Sequence, residues 1–269
     1  MSNRAIGVFD SGMGGLTVMR ALMACLPNES FVYLGDTARL PYGTKSKETV
    51  ERYAVQASKA LLARDVKLVV VACNTASVSL PALQVALAPL PVIGVIEPGA
   101  DAAVKVAPDG PIAVIATEGT VRGGAYERAI HARAPDVDIF QQACPLFVPI
   151  TEEGLTDGPI VHAIAERYLK PLMSRANPKA LLLGCTHYPV LREAIARVAG
   201  DVTLVDSAQT TAEAVAGLLN AKNLARTDPA TPTHTFLATD APDRFARVGE
   251  IFLGRAIAES EVELIDLQN

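Results

Sequence analysis

Short apolar runs recur along this chain between longer segments in which hydrophobic residues return at helical spacing. The runs cover Ala5 to Phe9, Phe31 to Leu34, Leu68 to Val71, Val92 to Val95, Ile112 to Ile115, Ala180 to Leu183 and Val202 to Val205. Strands that are apolar on both faces and alternate with helices predict mainly parallel sheets covered on each side. The segments 46–64 and 160–170 supply two of the covering helices. Prolines at Pro89, Pro91, Pro108, Pro111, Pro229 and Pro232 fall between these elements and mark loops.

A weak internal repeat adds to that pattern. Val69 to Thr75 (VVVACNT) echoes Leu181 to His187 (LLLGCTH) at an offset of 112 residues, and Ile6 to Ser11 echoes Ile112 to Thr117 at an offset of 106. The near-equal offsets predict two similar α/β units.

Composition narrows the functional classes. With 269 residues, half of them hydrophobic, the chain can bury a substantial core. Its apolar runs are far shorter than the roughly 20 residues of a membrane-spanning helix. The formal charge of −5 shows no basic excess of the kind that marks a nucleic-acid binder. No signal-peptide pattern opens the chain, so a cytoplasmic location is expected. The four cysteines, 25, 73, 144 and 185, are expected as free thiols. Scattered histidines and the lack of metal-binding spacings give no support for a metal.

Cys73 and Cys185 each follow a predicted strand directly, where open α/β sheets place ligands. Polar neighbours there, Asn74 and Thr75 in one case and Thr186 and His187 in the other, can tune a thiol. Cys25 and Cys144 lack such settings and are read as structural. The loop Asp10-Ser11-Gly12-Met13-Gly14-Gly15 pairs a strand-end carboxylate with glycines that let backbone N–H groups approach an anion. Pro41-Tyr42-Gly43, after the second strand, would offer backbone donors and an aromatic wall. A small anionic substrate would also call for local positive potential. These residues admit a two-thiol acid/base enzyme, a cysteine hydrolase built on Cys185 and His187, or a non-enzymatic ligand-binding protein.

Six blocks in order resemble the glutamate racemase family: 7–18 (GVFDSGMGGLTV), 35–43, 72–76 (ACNTA), 94–99 (GVIEPG), 145–154 and 184–189 (GCTHYP). The resemblance implies two pseudo-symmetric α/β domains, residues 1–97 plus 208–269 and residues 98–207, with the active site between them. It implies cofactor-independent racemisation of glutamate, with Cys73 serving the D face assisted by Asp10, and Cys185 the L face assisted by His187. Ser11, Pro41, Tyr42, Gly43, Asn74, Thr75 and Thr186 would bind substrate, joined by Thr117, Thr120 and Glu152. The implied partner is glutamate, with no cofactor, no nucleic acid and no membrane; a homodimer is compatible with it. Aspartate is the nearest rival substrate. The segment 120–126 departs from the family pattern by carrying Gly123 where serine is common.

Overall fold

The computed structural model describes residues 2–267. Among the described residues, ten strands form two sheets in which every neighbouring pair is parallel. The first sheet contains β1 (Ile6–Asp10), β2 (Phe31–Gly35), β3 (Leu68–Val71) and β4 (Val92–Gly94). The second contains β5 (Ile112–Ala116), β6 (Ile139–Ala143), β7 (Ala180–Gly184) and β8 (Thr203–Asp206). The chain then returns to add β9 (His234–Ala238) and β10 (Val262–Leu264) to the first sheet. It leaves that sheet through the helix Ile96–Val106 and re-enters it through the helix Ser207–Ala221.

The repeat extends to strand register. The order β2-β1-β3-β4 in one sheet matches β6-β5-β7-β8 in the other. Ile6 pairs with Leu68, and the equivalent Ile112 pairs with Ala180. Val69 pairs with Val92, as Leu181 pairs with Leu204. In both sheets the chain builds outward from its first strand on one side and then crosses to the other. The strand order therefore reverses beside β1 and beside β5, the switch points where α/β sheets open a crevice at their carboxyl ends.

Burial follows from the two-fold strand period. In β3, Val70 packs on one side of the sheet while Val69 and Val71 pack on the other; in β7, Leu181 and Leu183 oppose Ala180 and Leu182 in the same way. The helix Lys47–Leu62 starts where Ser46 accepts a hydrogen bond from the Thr49 N–H at 3.3 Å. It buries Val50, Ala54, Ala57 and Leu61 at helical spacing.

Several elements differ from the sequence reading. β6 was not anticipated, because Gln141 and Gln142 occupy a half-buried strand at a sheet edge, where apolar patterning is weak. β9 and β10 complete the opposite sheet and were also missed. The helix predicted to end at Lys170 instead runs from Pro159 to Ala176, straight through Pro171. Around the unusual Gly123, the helix Glu118–Gly123 stops at Gly124, whose φ of 60° is left-handed, and a new helix begins at Ala125. A side chain at 123 would crowd Val78, so the glycine serves a close approach.

Candidate active site

A cavity of about 370 Å³ lies where the carboxyl ends of the two sheets face each other. Its wall includes twelve of the residues singled out in the sequence: Ser11, Pro41, Tyr42, Gly43, Cys73, Asn74, Thr75, Thr117, Glu152, Cys185, Thr186 and His187. Both switch points contribute. Ser11 follows β1 and Cys73 lies just beyond β3, while Thr117 follows β5 and Cys185 follows β7. Asp10 and Thr120 are fully buried behind this wall.

Cys73 caps the short helix Asn74–Ser77, its sulfur accepting from the Ala76 N–H at 3.4 Å. The Ser11 hydroxyl lies 3.4 Å from the same sulfur. Burial pushes the thiol up to about 11, and the nearby Asp10 charge adds to the rise. Those hydrogen bonds hold back only part of it. Asp10 acts on Cys73 through charge, since its own Oδ2 accepts from the Gly12 N–H at 2.9 Å. Burial also raises Asp10 itself, against the pull of His187 and of the Gly12 and Gly15 N–H groups.

Cys185 is as buried as Cys73, each about 5% exposed. Its thiol is raised further, by burial first and then by the charges of Cys73 and Asp10. His187 Nδ1 stands 3.9 Å from the Cys185 sulfur, and His187 Nε2 stands 3.2 Å from Glu152 Oε1. Glu152 Oε2 accepts from Arg244 at 3.3 Å. Burial alone would raise the Glu152 carboxyl, but its bonds to His187 and Arg244 hold it below the usual carboxylate range. The His187 ring also meets Phe252 edge-on, with centroids 4.9 Å apart.

Three hydroxyls join the two units beside the cavity. Thr75 lies 2.9 Å from Thr117 and 3.2 Å from Thr120, and Thr117 and Thr120 are 3.0 Å apart. Thr120 thus supports the two cavity threonines from behind. Asn74 donates to the Tyr126 hydroxyl at 2.7 Å, leaving its carbonyl oxygen buried without a partner among the described residues. Tyr42 donates its hydroxyl to Asp36, which also accepts from Arg39 at 2.7 Å. Tyr42 therefore offers the cavity its ring and backbone.

The expected local cation is not in the wall: among the described residues, the cavity has no lysine or arginine and carries two acids, Glu118 and Glu152. Hydroxyls and backbone N–H groups must do the work of binding an anion. Sequence reasoning missed Leu40, Pro145, Val148 and Pro149, the apolar part of the wall. It also missed Arg244, because its partner Glu152 is 92 residues away and no local pattern signals the pairing. Of the two cysteines read as structural, Cys144 is fully buried, whereas Cys25 lies at the exposed end of the helix Leu16–Cys25. All four cysteines are free thiols.

Comparison with known proteins agrees with this geometry. The glutamate racemase of Geobacter metallireducens is 49% identical over 258 residues, covering 95% of each chain. That of Neisseria meningitidis is 46% identical over 98% of this chain and 97% of the relative. Among solved structures, the Francisella tularensis glutamate racemase in complex with D-glutamate superposes with a TM-score of 0.93 at 40% identity, covering 99% of both chains. The Escherichia coli enzyme in complex with L-glutamate and an activator gives 0.79 at 28% identity, over 99% of this chain and 100% of that one. Residues 6–215 match the model of the Asp/Glu/hydantoin racemase family, and the chain belongs to that family.

Proposed function

We propose that this protein interconverts L- and D-glutamate without a cofactor, Cys73 and Cys185 exchanging protons with opposite faces of Cα. One observation carries the reading: two nearly fully buried thiols, at equivalent strand ends of two repeated units, border a single cavity. A racemase with one base must move that base across the substrate. Two opposed groups need only differ in protonation, thiolate on one side and thiol on the other, with roles set by the handedness of the substrate.

Burial makes each thiolate scarce and strongly basic. With Cys73 held up to about 11, forming its anion at pH 8 costs about 4 kcal/mol in the empty site. The substrate ammonium, arriving beside the sulfur, offsets part of that cost. In this scheme Cys73 serves the D face and Cys185 the L face. Asp10 keeps the Cys73 thiolate basic through its charge, and His187 orients the Cys185 thiol.

The unpartnered carbonyl oxygen of Asn74 suits the ammonium. Ser11, Thr75, Thr117 and Thr186, with the backbone N–H groups of Tyr42 and Gly43, suit the carboxylates and the charge that develops in the carbanion-like transition state. Thr120 acts from behind as a support, and Glu152 supports His187 from within the wall. The domain division follows the same reading: residues 1–97 and 208–269 form one body and 98–207 the other, so that closure excludes water from the reacting carbon. The relatives' names favour glutamate over aspartate. D-Glutamate made in the cytoplasm for peptidoglycan is the role this activity implies.

The test is incubation with L-glutamate in heavy water with nothing else added, following chirality and the Cα hydrogen together. D-Glutamate carrying deuterium at Cα is expected. D-Glutamate that retains its original Cα hydrogen would refute the two-thiol exchange, and L-glutamate left unchanged would refute the activity.

A further inference from the structure

The C-terminal helix Pro242–Leu253 packs against the first sheet, yet two of its side chains reach residues of the second unit. Arg244 donates to Glu152 Oε2, and Phe252 lies edge-on to the His187 ring. Gly14, from the loop after β1, presses on His187 from the same unit as that helix, so closely that a Cβ would overlap the ring. His187 is therefore seated between groups of the opposite unit.

We propose, building on the racemase reading above, that Arg244 is a positioning residue: by holding Glu152 it orients His187 toward Cys185 and ties that orientation to the apposition of the two units. The geometry gives the chain of cause. An ionised Glu152 accepts a hydrogen from His187 Nε2, 3.2 Å away. That bond selects the neutral tautomer in which Nδ1 is the acceptor, and Nδ1 faces the Cys185 sulfur at 3.9 Å. The S–H of Cys185 then points along a fixed line and the thiol is held for proton transfer. Without Arg244, Glu152 loses its cationic partner, its carboxyl titrates higher, and it can rotate away from His187. Arg244 side chain is 37% exposed, so it can be replaced without opening the core.

The experiment compares Arg244→Ala, Arg244→Lys and a control, Arg247→Ala, at an exposed position of the same helix. Steady-state rates are measured in both directions across pH, and the Glu152 carboxyl is titrated by carbon NMR. The groups facing His187 and Glu152 in that titration are Asp10 from β1, Cys185 from the end of β7 and Arg244 from the C-terminal helix. Expected for Arg244→Ala is a loss of about 10- to 100-fold in kcat, the scale of a small misplacement of a reacting group, with KM changed far less. The loss in kcat/KM must be equal in both directions because the two enantiomers are equal in free energy. The Glu152 titration and the acid limb of the rate profile should both move to higher pH, Arg244→Lys should recover most of the rate, and Arg247→Ala should match the parent. An Arg244→Ala enzyme as active as the parent, or an inactive one whose Glu152 titration has not moved, overturns the coupling. A parent enzyme that leaves glutamate unchanged overturns the activity itself, a result distinct from either.

Discussion

Thr17 donates its hydroxyl to the carbonyl of Thr186 at 2.9 Å, while lying equally close to the carbonyl of Gly14. This bond joins the first helix of one unit to the Thr186–His187 peptide in the other. Both ends are buried.

Replacing Thr17 by valine keeps the shape and removes the donor, leaving the Thr186 carbonyl buried and without its partner. A loss of about 1–3 kcal/mol in unfolding free energy is expected, together with a lower kcat as the Cys185 loop loosens. Urea melts and rates on Thr17→Val and Thr17→Ser check it. Serine should behave like the parent, and a valine variant of unchanged stability would show that the bond contributes nothing.

Much of this architecture can be read in advance because four strands, β1, β3, β5 and β7, are buried at every position and therefore almost wholly apolar, as in Val69 to Val71 and Leu181 to Leu183. The thiols were legible for a related reason: each sits at the end of such a strand, and the repeat doubles the signal. β6 escaped notice since an edge strand tolerates Gln141 and Gln142. Pro171 misled because a helix interior normally loses a hydrogen bond to proline, yet the buried Leu169, Leu172 and Ala176 on either side hold the helix together by packing. Arg244 and Phe252 were invisible because they reach the site only through tertiary folding, from a helix that carries none of the six motif blocks.

Gly14 has no room for a side chain. An added Cβ would overlap the His187 ring and the Thr186 hydroxyl. Gly14→Ala is expected to cost about 1–3 kcal/mol in overpacking and to abolish most of the activity by displacing His187. A thermal melt beside a rate measurement separates the two effects, and a fully active alanine variant would mean that the two units can move apart freely at this seam.

Lys67 offers a contrast, since it is buried far from the thiols. Its ammonium donates to Glu29 at 2.6 Å, to the Ser2 carbonyl at 2.6 Å and to the Leu224 carbonyl at 2.7 Å. Burial lowers its pKa, against the pull of Glu29. Lys67→Met would leave the Glu29 carboxylate in the interior without its cation, at a cost of about 3–5 kcal/mol. The variant's kcat at low temperature should nevertheless match the parent. Loss of catalysis without loss of stability would contradict the separation of this ion pair from the active site.

The thiols themselves allow a test that links catalysis to folding. Cys73→Ser and Cys185→Ser should each lower kcat/KM by at least about 10²- to 10⁴-fold, the usual worth of a general acid or base, equally in both directions. Folding supplies the second readout. A Cys73 thiol near 11 in the folded protein and 9.0 in the unfolded chain keeps its proton in the folded state over a range where the unfolded chain releases it. Its contribution to stability is therefore complete below pH 9 and is lost as pH rises from about 9 through 11. By pH 10 the parent should have lost about 1.4 kcal/mol more than Cys73→Ala, whose position 73 does not titrate. Cys144 is raised by burial alone and cancels in the difference, and Cys185, raised mainly by its own burial and further than Cys73, keeps its proton in both folded proteins at pH 10. Urea titrations of parent and variant at pH 7.5 and pH 10 measure it, and curves that stay parallel would mean that the Cys73 thiol is not raised by its burial, and that the base proposed for the D face is far weaker than its setting implies.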